Sequence, residues 1–178
     1  MVGLANRTVT GAPKGPSVTK SAFFSFHYDR DHWRVQQVLN IGSLEGQTIL
    51  NHQKWEEVKR QGDDAVKRWI EQQMNGKSVV VVLVGAQTSG REWVQYEIAQ
   101  AWNNRKPLVG IRIHGLQNEF QRTDQAGPDP FAQVGLQGGG TVADYVKLHS
   151  PTGFTSQAVY ADIKKNLLTW VDSAYRRS

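Results

Sequence analysis

The run Val79-Val80-Val81-Val82-Leu83-Val84 constrains this chain more than any other segment. Six consecutive apolar residues, five of them β-branched, fit a strand covered on both faces. They are far too few to cross a bilayer as a helix, which takes about 20 residues. A strand apolar on both sides belongs at the centre of a parallel sheet with helices above and below. The neighbouring sequence agrees. Ala22-Phe23-Phe24-Ser25-Phe26 reads as a short aromatic strand, and Pro107 to Ile113 as another apolar one.

Helical patterns alternate with these strands. A polar turn, Asp29-Arg30-Asp31, precedes a helix with Trp33, Val35, Val38, Leu39 and Ile41 on its apolar side. Thr48-Ile49-Leu50 reads as a short strand and Trp55 to Val58 as a helical turn, with the register of 42–60 left open. Asp63 or Asp64 caps a helix through Ala65, Val66, Trp69, Ile70 and Met74 that stops at Asn75-Gly76. Ser89-Gly90-Arg91-Glu92 has capping-box spacing and opens a helix with a buried stripe of Val94, Ile98 and Ala101. The last helix is expected over Gln157 to Tyr175. Between them, 114–140 is a long polar loop, of the kind that tends to be functional or mobile. The order implies an α/β, doubly wound parallel sheet flanked by helices, with one domain over 21–178 and a disordered tail over 1–20. Ligands of such sheets bind beyond the carboxyl ends of the strands, which singles out 25–31, 85–92 and 113–118.

Charge and composition narrow the function. The net charge is +5, yet residues 1–20 contribute +3 and Arg176-Arg177 another +2, so 21–175 holds 16 basic and 16 acidic residues. No clustered stripe of Lys and Arg remains for a phosphate backbone, which excludes nucleic acid as the expected partner. The absence of Cys removes thiolate nucleophiles, disulfides and Cys-based metal centres. With no apolar span and no signal-peptide pattern, the expectation is a cytoplasmic protein away from membranes. The five His show no metal-ligand spacing, so no metal is expected. Asn75-Gly76-Lys77-Ser78 imitates the end of a P-loop but has Glu71 where the first glycine belongs, and it precedes a strand. There is no G-x-G-x-x-G, no G-x-S-x-G elbow, and no Asp where a phosphoacceptor strand would end, since this one ends Val84-Gly85-Ala86-Gln87. A flavin carrier would need a Ser/Thr/Gly-rich loop after the first strand, and Phe26-His27-Tyr28-Asp29 is not one.

What remains is Trp93-Val94-Gln95-Tyr96-Glu97. Trp93 and Glu97 lie four apart, on one face of the helix after the central strand. A carboxylate there would sit at the rim of the crevice beside an indole. Spacing alone equally describes a solvated helix Glu next to a core Trp.

The W-x-x-x-E spacing after a strand and a Ser/Thr-containing turn resembles the signature of NAD-consuming TIR domains. Phe23-Phe24-Ser25-Phe26-His27-Tyr28, Arg34-Val35, Asn40 and Trp55-Glu56 are similar in order and spacing to the TIR-like family of bacterial Thoeris anti-phage systems. So are Gly85 with Thr88, Trp93-Val94 with Tyr96-Glu97-Ile98, Gly110-Ile111 with Ile113, and Gly127-Pro128-Asp129-Pro130-Phe131. The likeness runs from about Ala22 to Leu136. It implies a flavodoxin-like fold and an NAD+ glycohydrolase or cyclase that releases nicotinamide and forms a (cyclic) ADP-ribose signal. It further implies NAD+ as substrate rather than cofactor, a downstream effector that senses the product, and self-assembly.

Glu97 is then the expected catalytic residue, with Glu92 assigned to the helix cap. Ser25, Phe26, His27, Asn40, Trp93 and Tyr96 are the expected substrate-binding residues. Phe26 and Trp93 would stack on a base, and the backbone of 25–27 would hold phosphate or ribose oxygens. For His27 a plain strand-end imidazole is an equal alternative, and Tyr96 either lines the pocket or packs under a neighbouring loop. Arg34 is expected in a salt bridge and Thr88 in the turn. A non-enzymatic TIR-like assembly module is the alternative to the enzyme.

Overall fold

The computed structural model describes residues 20–47 and 49–178. The expected tail therefore falls almost entirely outside the described residues. Four parallel strands form one sheet in the order β1 (Ala22–Phe26), β2 (Val79–Val84), β3 (Leu108–Arg112) and β4 (Leu148–His149). Every residue of β2 is buried, as its two-sided apolarity requires. The side chains of the strands alternate between two cores. Phe24, Val79, Val81, Leu83, Val109 and Ile111 face α1 (Tyr28–Leu39) and α5 (Ser156–Asp172). Phe23, Val80, Val82 and Val84 face α2 (His52–Arg60), α3 (Asp63–Met74) and α4 (Glu92–Asn103). Helices on both faces of an all-parallel sheet make this an α/β, flavodoxin-like fold.

Several elements differ from the sequence reading, each for a physical reason. The polar run Asp29-Arg30-Asp31 belongs to the first turn of α1, where acids favour the positive end of the helix dipole. Trp33 does not join the apolar side and is 51% exposed. The buried stripe is instead Asp31, Arg34, Val35 and Val38. Asp31 and Arg34 enter it as an ion pair, Oδ1 to Nη1 at 2.9 Å, which a count of apolar residues does not find. Gly62, not an Asp, occupies the N-cap of α3. The capping box of α4 is absent: Ser89 lies in a 3-10 turn, Arg91 takes the N-cap without a side-chain bond, and Glu92 begins the helix. Helix α5 ends at Asp172, and Tyr175 goes on to bridge Leu108. Strand β4 is two residues long, too short to carry a pattern.

The edge beside β1 is the irregular part of the sheet. A flavodoxin-like sheet has a further strand there. Here, among the described residues, only Glu45 pairs, in a parallel bridge to Ser21, its N–H donating to Lys20 and its C=O accepting from Ala22. Ile49 and Leu50 form no strand, and Thr48 lies outside the described residues. Gln47 closes the next position with its side chain: Oε1 accepts from the Phe24 N–H at 2.8 Å, and Nε2 donates to the Phe24 C=O at 2.7 Å.

The 114–140 segment packs back onto the sheet rather than standing over the crevice. Leu116 and Phe131 are fully buried, and the Arg112 guanidinium donates to the Gly127 C=O. Gly127 approaches the end of β2 so closely that a Cβ would meet the Gly85 carbonyl oxygen at 2.3 Å and that of Ala86 at 2.6 Å. Both neighbours are backbone, so the strain cannot be relieved by a rotamer change. Gly127→Ala is expected to destabilise by about 1–3 kcal/mol, seen as a lower denaturation midpoint with an unchanged slope.

Candidate active site

Where β1 ends and α4 begins, against the incomplete sheet edge, a cavity of about 380 Å³ opens. That volume is within the range of small-molecule sites. Glu97 forms part of its wall. Three turns of sequence logic bring it there. Strand β2 delivers the chain to the 3-10 turn Thr88–Gly90, the Thr88 hydroxyl accepts the Gly85 N–H at 2.9 Å, and α4 then runs back over the sheet with Val94, Ile98 and Ala101 inward. Glu97, one turn after Trp93, points down at β1.

Glu97 is only 8% exposed. The Ser25 hydroxyl donates to its Oε2, and Ser25 itself is buried in β1. Burial disfavours the charged carboxylate and pushes the Glu97 pKa up to about 8, against the smaller opposing effect of the Ser25 hydrogen bond. This is a carboxyl group tuned far from its usual range inside a crevice, the combination that marks a reactive position.

Phe26, His27 and Trp93 line the same cavity, so five of the seven expected residues converge. The His27 imidazole is held below its usual pKa by burial and by Arg91. Its Nδ1 is buried without a partner. Tyr96 goes elsewhere: its ring meets Trp93 edge-on, and its hydroxyl donates to Glu71 of α3 at 2.7 Å. It packs behind Trp93 instead of lining the cavity. Asn40 is at the far end of α1, exposed, accepting from the Gln36 side chain at 3.0 Å. It ends the helix and does not reach the site. Arg34 forms its ion pair and Thr88 shapes the turn, as expected.

The structure adds residues that sequence spacing did not single out. Tyr28, Trp55 and Trp69 continue an aromatic wall from Phe26, with successive ring centroids 5.9, 6.1 and 5.6 Å apart. Their positions on three helices leave no periodic signal. Lys59 and Arg91 bring positive charge to the lining, and Asp29 and Glu92 negative charge. Glu92 thus lines the cavity instead of closing a cap. Asp29 also comes within 4.8 Å of His52 and Glu56, which lie one turn apart on α2. They are largely solvated, and Glu56 already pairs with Lys59.

The arrangement can take a flat cationic ring against aromatic faces, with a carboxylate able to meet positive charge. All of its lining residues lie between Phe23 and Glu97. Residues 23–118 match the family described as "Thoeris protein ThsB, TIR-like domain". A Bacillus cereus (strain MSX-D12) protein named "Putative cyclic ADP-D-ribose synthase ThsB1" is 35% identical over 130 residues, covering 67% of this chain and 65% of its own length. The match thus spans slightly under two thirds of that relative. The family match over residues 23–118 takes in every residue that lines the crevice, and the chain belongs to the Thoeris ThsB TIR-like family.

Proposed function

We propose that this protein cleaves the nicotinamide–ribose bond of NAD+ and closes the remaining ADP-ribose into a cyclic nucleotide that signals in anti-phage defence. The observation that carries the reading is the buried Glu97, held by Ser25 in the wall of an aromatic cavity. The name of the Bacillus cereus relative, "Putative cyclic ADP-D-ribose synthase ThsB1", agrees with it.

The chemistry suits a single acid. When the C1′–N1 bond breaks, its electron pair stays on the ring nitrogen and neutral nicotinamide leaves without needing a proton. Positive charge grows on the ribose, as in other glycosyl transfers. The Glu97 carboxylate meets that charge in a site with little water, where such an interaction is strongest. A nucleophile within the same nucleotide then attacks C1′ to cyclise it, passing its proton to Glu97; water in that role gives linear ADP-ribose. Trp93 and Phe26 flank the ring, and Lys59, Arg91 and His27 are the groups suited to the diphosphate. The product's reader is a downstream effector, and self-assembly of this chain is a further expectation of the family.

Incubating the protein with NAD+ and separating the products by chromatography tests the reading. Nicotinamide should appear with a product of the mass of cyclic ADP-ribose. Loss of neither NAD+ nor signal in defence-competent cells lacking turnover would favour an assembly module instead.

The pH dependence has a definite sign. Glu97 works ionised, so kcat/KM for the free enzyme should rise with pH, pass half its maximum near 8 and level off above that. Ser25→Ala removes the bond that favours the carboxylate, so the rising limb should move to higher pH. A limb unmoved by this change would disconnect Ser25 from the acid.

A further inference from the structure

The reading just given rests on which dinucleotide enters, and the sheet edge carries a means of choosing it. Along β1 the backbone groups of alternate residues face the open edge. Ala22 does so, donating to Glu45, and Phe24 does so, exchanging both bonds with the Gln47 side chain. Ser25 is the odd member, paired toward β2. Phe26 is the next edge-facing residue, about 6.6 Å beyond Phe24, and it lines the cavity. Among the described residues, nothing pairs with its N–H or C=O on that side.

Gln47 shows what such a position accepts. A primary carboxamide presents one acceptor and one donor side by side, matching the C=O and N–H of a single edge residue. The geometry points to the Phe26 N–H and C=O as the receptor for the carboxamide of nicotinamide, bound as Gln47 binds Phe24. The carboxamide is meta to the ring nitrogen, so this anchoring lays the pyridinium along the sheet edge beside the Ser25–Glu97 pair. It selects the dinucleotide of nicotinamide over that of nicotinic acid. A carboxylate offers only acceptors, one of which would oppose the Phe26 C=O. A methyl ketone keeps the acceptor and loses the donor. Sites built to hydrogen-bond a group reject analogues lacking it, because the buried partner is left unpaired.

The test measures binding of NAD+, nicotinic acid adenine dinucleotide and acetylpyridine adenine dinucleotide to the Glu97→Gln protein, alongside kcat/KM for each with the wild type. Both analogues should bind at least about tenfold more weakly than NAD+. Affinities within threefold of NAD+ would overturn the proposal. Phe26→Pro deletes the N–H at a strand end where proline is tolerated, with Phe26→Leu as the side-chain control. Proline should weaken NAD+ and the ketone analogue by similar factors, and by more than leucine does, because both lose the bond from the Phe26 N–H; equal losses in the two variants argue against the anchor. If the proline variant fails to fold, the analogue series on the intact backbone decides. Turnover of NAD+ without discrimination would refute this anchor alone, whereas absence of any turnover would refute the preceding reading.

Discussion

Glu97→Gln is expected to lower nicotinamide release from NAD+ by about 10³-fold or more while leaving the protein folded. The amide keeps the size of the carboxyl and still accepts from Ser25, but it has no charge with which to meet the developing cation. Removing one preorganised electrostatic partner from a dry site typically costs two to three orders of magnitude in rate, and here that partner carries a full charge. Chromatographic detection of nicotinamide measures the loss; turnover near the wild-type rate would take Glu97 out of the mechanism.

The same substitution has a second, opposite signature in stability. The folded pKa of Glu97, about 8, lies above its unfolded value near 4.3, so the native state holds the proton more tightly. Its stability is therefore fully present below the unfolded pKa and is lost as pH rises through the folded one. Above pH 8 the buried charge costs up to the order of 5 kcal/mol. Gln escapes that cost. The melting temperature of Glu97→Gln should exceed that of the wild type by a margin that grows from pH 5 to pH 9. A variant that is inactive yet more stable in alkali would show that fold stability is sacrificed at this residue for function.

The largest loss of stability is expected from Arg34→Ala. Arg34 is buried in α1, paired with Asp31 at 2.9 Å. Its Nε donates to the Leu116 C=O at 2.8 Å and its Nη2 to the Arg122 C=O at 3.1 Å. One side chain thus satisfies a buried carboxylate and fastens the 114–122 segment to the first helix. Truncation leaves the acid and the Leu116 carbonyl without partners, while the Arg122 carbonyl keeps the Asn118 N–H at 3.0 Å, and breaking a buried pair from one side costs about 3–5 kcal/mol. Part of that loss is relieved by protonation, since burial already raises the Asp31 pKa. The second oxygen of Asp31 has no bond and lies so near Gly85 that a Cβ there would meet it at 2.1 Å. Denaturant unfolding should show the drop, and Asp31→Leu combined with Arg34→Met should recover much of it. A single variant within 1 kcal/mol of wild type would mean that the pair is replaced by water.

Composition and periodicity were enough for the scaffold. A six-residue run apolar on both sides can be buried only between two helical layers, so Val79–Val84 announces a central parallel strand. The stripe Val94, Ile98, Ala101 likewise sets the inner face of α4, and with it the direction of Glu97. Ser25, Phe26 and His27 follow from the rule that ligands meet strands at their carboxyl ends. These are consequences of local pattern, and each depends on residues within one element.

The edge of the sheet and the aromatic wall had no such pattern. Trp55, Trp69 and Tyr28 become neighbours only when α2 and α3 pack on one face and the first residue of α1, arriving from the other, meets them at the sheet edge, and Asp31–Arg34 occupies a stripe where apolar side chains are the usual tenants. Asn40 and Tyr96 are as plausible as Phe26 in a linear motif, but one is carried to the wrong end of its helix and the other turns to Glu71. Gln47 replaces a strand with a side chain, which no propensity encodes. Local sequence settles which face of an element is buried, because that depends on the period of its own residues. Which buried groups end up within hydrogen-bonding reach depends on separations of tens of residues, and only the packed chain resolves those.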